Sequence, residues 1–201
     1  MESRFLINRD HNVYSDTVLK YTIYICKDCS QKKKEYVKYQ HDEIPKTISN
    51  LGYIEILSGK YAIEFTTPTM VCPFGFSKDN NNITLQFTNV RTSPEMNSFF
   101  NFIQMLEMKI MNQLGLEEDE SDLFLSQIRY DKNGKYDPNL LLKVPFIKNT
   151  YDVDIRRKNE SVSITNIFKF SKVRCDIYID NIWKFNDKYI CKWKVRRILI
   201  E

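Results

Sequence analysis

Hydrophobic residues recur at every second position through most of this chain, the spacing of strands that turn one face to a core. Residues 18–26 (VLKYTIYIC) and 35–39 (EYVKY) alternate on either side of a KDCSQKKK loop and can pair across it. Residues 51–57 and 60–65 flank Ser58-Gly59, a good hairpin signal. Further strands are expected at 83–87 (ITLQF), 140–147, 162–170, 173–179 and 189–200, with a turn at Asn186-Asp187 before the last of them.

Residues 94–114 break this period. Phe99, Ile103, Leu106, Ile110 and Leu114 share one helical stripe. Thr92 or Ser93 stands where a cap is needed, Pro94 suits the first turn, and Gly115 suits the C-terminal end. Phe100, Phe102, Met105, Met108 and Met111 widen the stripe beyond one face. Most of that width reads as core, and the remainder suggests burial against a second subunit, in a homodimer. A single mid-chain helix among many strands predicts an α+β fold that is mostly β and compatible with a small barrel. No composition shift marks a linker. Residues 1–50 read as an N-terminal β extension packed on a domain of residues 51–201, with the helix at about 94–114.

The composition removes most chemistry. With five glycines there is no Walker-type or dinucleotide phosphate loop. The two histidines, His11 and His41, stand beside no plausible nucleophile. Cys26-Lys27-Asp28-Cys29 has metal-ligand spacing but lacks a second pair, while Cys175 and Cys191 sit among apolar neighbours in alternating strands. These cysteines read as free core thiols and a turn residue, and Asp152 and Asp154 read as a polar strand edge rather than an ion site. The expectation is therefore no enzyme, no cofactor, no metal and no small-molecule substrate. No run approaches the roughly 18 apolar residues of a membrane span, and MESRFLINRD lacks a signal peptide's apolar stretch. An odd number of cysteines fits a reducing compartment, so the expected location is intracellular and not secreted.

Charge then changes the picture. The formal net charge is only +4, but the last 51 residues carry 12 Lys and Arg against 7 Asp and Glu. In the final predicted strand Tyr189, Cys191, Trp193 and Val195 share one face, while Lys192, Lys194 and Arg196 share the other. Trp193 is expected inside and the cations outside. Aromatics interleave with Lys again at Tyr36, Lys38 and Tyr39, at Phe168, Lys169 and Phe170, and at Trp183, Lys184 and Phe185. A cationic row can be a solvated face; beside exposed aromatics it is also what a single-stranded nucleic acid needs, with charge for phosphates and rings for bases. The candidate contacts are Lys192, Lys194, Arg196, Trp183, Lys184, Phe185, Lys169, Lys38 and Tyr36.

Two segments carry a resemblance. FLSQIRYDKNGKYDPNLLLKVPF, residues 124–146, and the ending CDIYIDNIWKFNDKYICKWKVRRILI resemble the single-stranded DNA-binding proteins of nucleocytoplasmic large DNA viruses. The likeness spans roughly residues 63–201 and is most specific in the last thirty. It implies an OB-fold five-stranded barrel with an inserted helix, like that of a related phage protein. It also implies sequence-independent binding of single-stranded DNA in viral replication, recombination or repair. The setting would be the host cytoplasm (a viral factory) or nucleus, with viral replication proteins as further partners. A protein interaction or scaffold module and an RNA-binding OB protein are the alternative readings.

Overall fold

The computed structural model describes residues 19–26, 36–41, 51–58 and 61–201, with side chains from residue 63 onward. In its first part the strands are β1 (Leu19–Cys26), β2 (Tyr36–His41), β3 (Leu51–Ser58), β4 (Tyr61–Ala62), β5 (Glu64–Thr66), β6 (Met70–Cys72), β7 (Phe76–Ser77) and β8 (Asn82–Gln86). The helix α1 (Pro94–Gln113) follows, then β9 (Phe124–Leu125), β10 (Ile128–Arg129), β11 (Asn139–Lys143), β12 (Phe146–Ile147) and β13 (Thr150–Tyr151). The chain ends with β14 (Asp154–Arg157), β15 (Glu160–Ser161), β16 (Ser171–Phe185) and β17 (Lys188–Ile200).

Five segments close a barrel. β6 pairs with β8, β8 with β11, β11 with β17, β17 with β16, and β16 returns to β5 and β6. Within this ring β11 and β17 run parallel and the other pairs antiparallel. Taking β5 and β6 as one bent first strand, the ring order is 1-2-3-5-4-1, the Greek-key connectivity of the OB fold. Alternation supplies the core: Ile83, Leu85, Leu140, Leu142, Ile177, Trp193 and Val195 all point into the barrel.

The helix lies between the second and third barrel strands. Ser93 caps it, accepting a hydrogen bond from the Met96 amide, and Gly115 beyond the C-terminal end has a φ of +70°. Its stripe packs on the barrel through Phe102 and Phe99 against Phe65, and Phe99 and Phe100 against Phe87. Phe102, Ile103, Leu106 and Ile110 are buried, whereas Met105 and Met108 stay exposed. Glu107 is buried in the same face. It accepts hydrogen bonds from the Ser126 hydroxyl (2.6 Å) and the Gln127 amide (3.1 Å), tying α1 to the β9–β10 segment.

β16 is longer than the barrel requires. Its last four residues pair with β3, which pairs with β1, and β1 with β2. These strands continue the sheet outward from the barrel. The rest of the expected 1–50 extension, residues 1–18, 27–35 and 42–50, lies outside the described residues. The strand expected at 162–170 is instead a 3₁₀ turn, Ile164–Asn166, followed by loop. Its buried residues, Ile164 and Ile167, are three apart rather than two, and Ser163 caps the turn by accepting from the Thr165 amide. The acidic stretch after α1 is likewise a 3₁₀ helix, Glu118–Leu123, with Glu117 and Glu120 capping each other.

Candidate nucleic-acid interface

The β16–β17 hairpin builds the site. Asn186 and Asp187 take φ of +48° and +61°, the left-handed pair whose twist matches that of the flanking strands. Each strand then carries one unmatched residue. Asp180 bulges from β16 and Arg196 from β17, at the two places where the register slips. The inward row stays buried across both irregularities: Tyr189, Cys191, Trp193 and Val195, then Ile198 and Ile200.

On the outer face the bulges set the electrostatics. Asp180 meets Lys194 at 2.7 Å. Arg196 pairs with Glu64 at 3.2 Å and lies over the Tyr178 ring at 5.0 Å. Arg197 is held by Asp154 and Asp176. Lys192 lies over the Trp183 ring at 5.0 Å and, among the described residues, meets no carboxylate at ion-pair distance. β11 adds a cation that the sequence reading did not single out: Lys143 stands opposite Lys194 in the parallel ladder and donates to the Asn80 carbonyl. Lys143, Lys192 and Lys194 thus crowd together, with Asp180 beside Lys194. Burial first, then the charges of Lys194 and Lys143, push the Lys192 ammonium below its ordinary pKa, with Asp180 acting the other way. An anion laid across the three would relieve that repulsion.

Beside this cluster is a shallow cavity of about 520 Å³ lined by Tyr151, Asp152, Val153, Asp154, Tyr178 and Arg196. Asp152 and Asp154, read as a strand edge, form one of its walls. The neighbouring outer positions of β8 and β11, half-buried, are Thr84, Gln86, Asn139 and Leu141.

Of the residues expected from sequence, Lys192, Lys194, Arg196 and Trp183 come together on this face. Lys184 and Phe185 sit toward the hairpin tip. Lys184 is tied to Asp187 and the Tyr189 ring on the other side of the hairpin, and Phe185 is exposed. Lys169 is exposed on the loop before β16, at the strand's opposite end. Tyr36 and Lys38 fall on β2, and their side chains, with Cys29 and the side chains of Cys26 and His41, lie outside the described residues, as does His11. Burial holds the Cys72, Cys175 and Cys191 thiols above their ordinary pKa, which makes them core residues rather than nucleophiles.

No protein-family model and no curated protein matches the sequence. Among solved structures the chain is similar to the single-stranded DNA-binding protein from bacteriophage Enc34 in complex with single-stranded DNA. The TM-score is 0.47 at 11% identity, covering 79% of this chain and 94% of that one. It is similar also to a C-terminal truncation of the same phage protein, with a TM-score of 0.47 at 12% identity, over 81% and 95% of the two chains.

Proposed function

We propose that this chain binds single-stranded DNA without sequence specificity, with phosphates along Lys143, Lys192 and Lys194 and bases against Trp183 and the Tyr178 cavity. The observation that carries the reading is the crowding of three lysines on one outer barrel face, next to Asp180 and beside two aromatic rings. Phosphate contacts supply affinity that is indifferent to sequence, and each stacked base adds roughly 1–3 kcal/mol. Duplex DNA hides its base faces in the stack, so it gains only the first of these. The reading gives the chain no catalytic step, no cofactor and no small-molecule substrate. The viral replication, recombination or repair setting and the viral partner proteins implied by the resemblance, with the homodimer suggested by the broad helix stripe, belong to the same proposal.

Fluorescence anisotropy with labelled oligo-dT, an equal-length duplex and an equal-length RNA, each at two salt concentrations, tests it. The oligo-dT should bind more tightly than the duplex, and its log K should fall with log salt by about 0.7 per contacted phosphate. Equal affinity for the duplex, or indifference to salt, would overturn the reading. Tighter binding of the RNA would move it to the 2′-hydroxyl-reading class.

A further inference from the structure

At the end of the barrel where β8 begins, two turns present bare aromatic rings. Phe74 is 65% exposed, Phe168 61% and Phe170 72%. The second turn is strained. Ser171 N–H bonds the Phe168 carbonyl (3.1 Å) to close a four-residue turn, and Phe170, at its third position, has a φ of +65°. Glycine is the usual residue in that conformation, and a bulky side chain there is a clear outlier. The surroundings enforce it: Phe170 N–H bonds the Cys72 carbonyl (2.8 Å), and the Ser171 hydroxyl accepts from Phe168 N–H (3.0 Å).

The first turn is locked against the second. Phe76 N–H bonds the Ile167 carbonyl at 3.2 Å. Gly75 comes so close that a Cβ would meet the same oxygen at 2.9 Å. Three rings are therefore displayed by two rigid, mutually braced turns at the cost of backbone strain, as is characteristic of functional positions. Lys169 lies between two of the rings and Lys172 just beyond; neither forms an ion pair among the described residues. Bare rings interleaved with unneutralised ammonium groups match bases and phosphates better than an apolar protein surface. The platform also joins the lysine cluster through a chain of contacts. Phe76 touches Tyr151 (5.1 Å), the Tyr151 hydroxyl donates to Asn81 (3.2 Å), and Lys143 donates to the neighbouring Asn80 carbonyl.

We infer that Phe74, Phe168 and Phe170 form a second, preorganised base-stacking platform that takes the far end of a single strand whose phosphates lie on Lys143, Lys192 and Lys194. The inference rests on the single-strand reading above and adds an address to it: a strand must be long enough to reach the platform before these rings contribute.

Length and strain together test this. Oligo-dT of about 4 and about 12 nucleotides, within the span one OB fold covers, should be compared on the parent, on Phe168→Ala/Phe170→Ala and on Phe170→Gly. The parent should gain affinity with length. The double variant should bind the short oligomer like the parent and the long one at least about tenfold more weakly, since even one lost stack is worth about that factor. Phe170→Gly should weaken long-oligomer binding while holding or raising the melting temperature, because glycine relieves the left-handed strain. Parent-like long-oligomer binding by both variants would overturn the platform and leave the lysine face standing. A fall in melting temperature for Phe170→Gly would also overturn it, since the ring would then be a packing element. A parent that binds neither oligomer would remove the single-strand reading and the platform with it.

Discussion

The two tryptophans sit ten residues apart on one hairpin and live in different physical worlds. Trp193 is 1% exposed, edge-on to Phe65 at 5.3 Å, inside the barrel. Trp183 lies on the outer face beneath the Lys192 ammonium, partly open to solvent. The inner face is held by apolar contact and tolerates no charge. The outer face is a network of cations and carboxylates in which each group's availability depends on its partner. One hairpin therefore serves as barrel wall and as binding surface, and the two roles separate by strand parity. Variants on the two faces should separate as cleanly, stability from affinity.

The largest effect belongs inside. Trp193→Ala should cost roughly 3–5 kcal/mol in urea unfolding, as for other truncated core aromatics. Trp193→Phe sharpens this. The indole Nε1 is buried without a hydrogen-bond partner among the described residues, so removing that group discards an unsatisfied donor along with some contact area. The Phe variant should recover most of the loss. A Trp193→Ala variant as stable as the parent would mean that the inner face is not the core it is taken to be.

Next comes the outer face. Replacing Lys143, Lys192 and Lys194 together by Ala should leave the melting temperature near the parent's. Oligo-dT affinity should fall roughly tenfold or more at low salt, and the salt slope should shrink by about 2, or 0.7 for each of three contacts. Anisotropy titrations at several salt concentrations read both quantities. Unchanged affinity would make this face a solvated ion-pair network.

The sequence reveals these two faces unequally, for a physical reason. Alternation is local, so the inward Trp193 and the outward Lys192 can be read from residues 189–196 alone, as can the helix from its cap and stripe. The outer network is assembled from distant strands. Glu64 reaches Arg196 from the first barrel strand, and Lys143 meets Lys194 through the pairing of β11 with β17. The bulges at Asp180 and Arg196 leave no periodic trace, yet they decide which cations are neutralised. Phe168, Lys169 and Phe170 were visible as a motif, but their display on a strained turn came from Ile164 and Ile167 spacing at three where a strand was expected.

Buried and exposed carboxylates extend the comparison. Burial lifts the Glu107 carboxyl above its ordinary value of 4.5, against the pull of the Ser126 hydroxyl, the Gln127 amide and Arg129. The folded chain thus keeps a proton that the unfolded chain has released. The stabilisation is fully present below pH 4.5 and is lost as pH rises through the raised folded value. Glu107→Gln carries no such proton. Its stability relative to the parent should improve in urea unfolding as pH rises from 4.5 to the raised folded value, and level off beyond it. A difference independent of pH would show that burial does not raise the Glu107 carboxyl in the fold.

The smallest effect is the most informative about the outer face. Asp180 bulges toward Lys194 and sits 2.7 Å from its ammonium, each side chain about a quarter exposed. A phosphate arriving at Lys194 must share that ammonium with the carboxylate. Asp180→Asn keeps the shape and removes the competitor, so oligo-dT should bind more tightly. Partly exposed pairs are worth about 0.2–1 kcal/mol, which sets the gain at roughly one-and-a-half- to fivefold at low salt. The gain should vanish at high salt, where screening removes the competition. Glu64→Gln, which frees Arg196 further along the strand, should act in the same direction and more weakly, because Tyr178 already holds that guanidinium. If Asp180→Asn instead weakens binding at every salt concentration, Asp180 positions Lys194 rather than neutralising it. The bulge would then be a device for aiming a cation, and the carboxylate part of the binding surface itself.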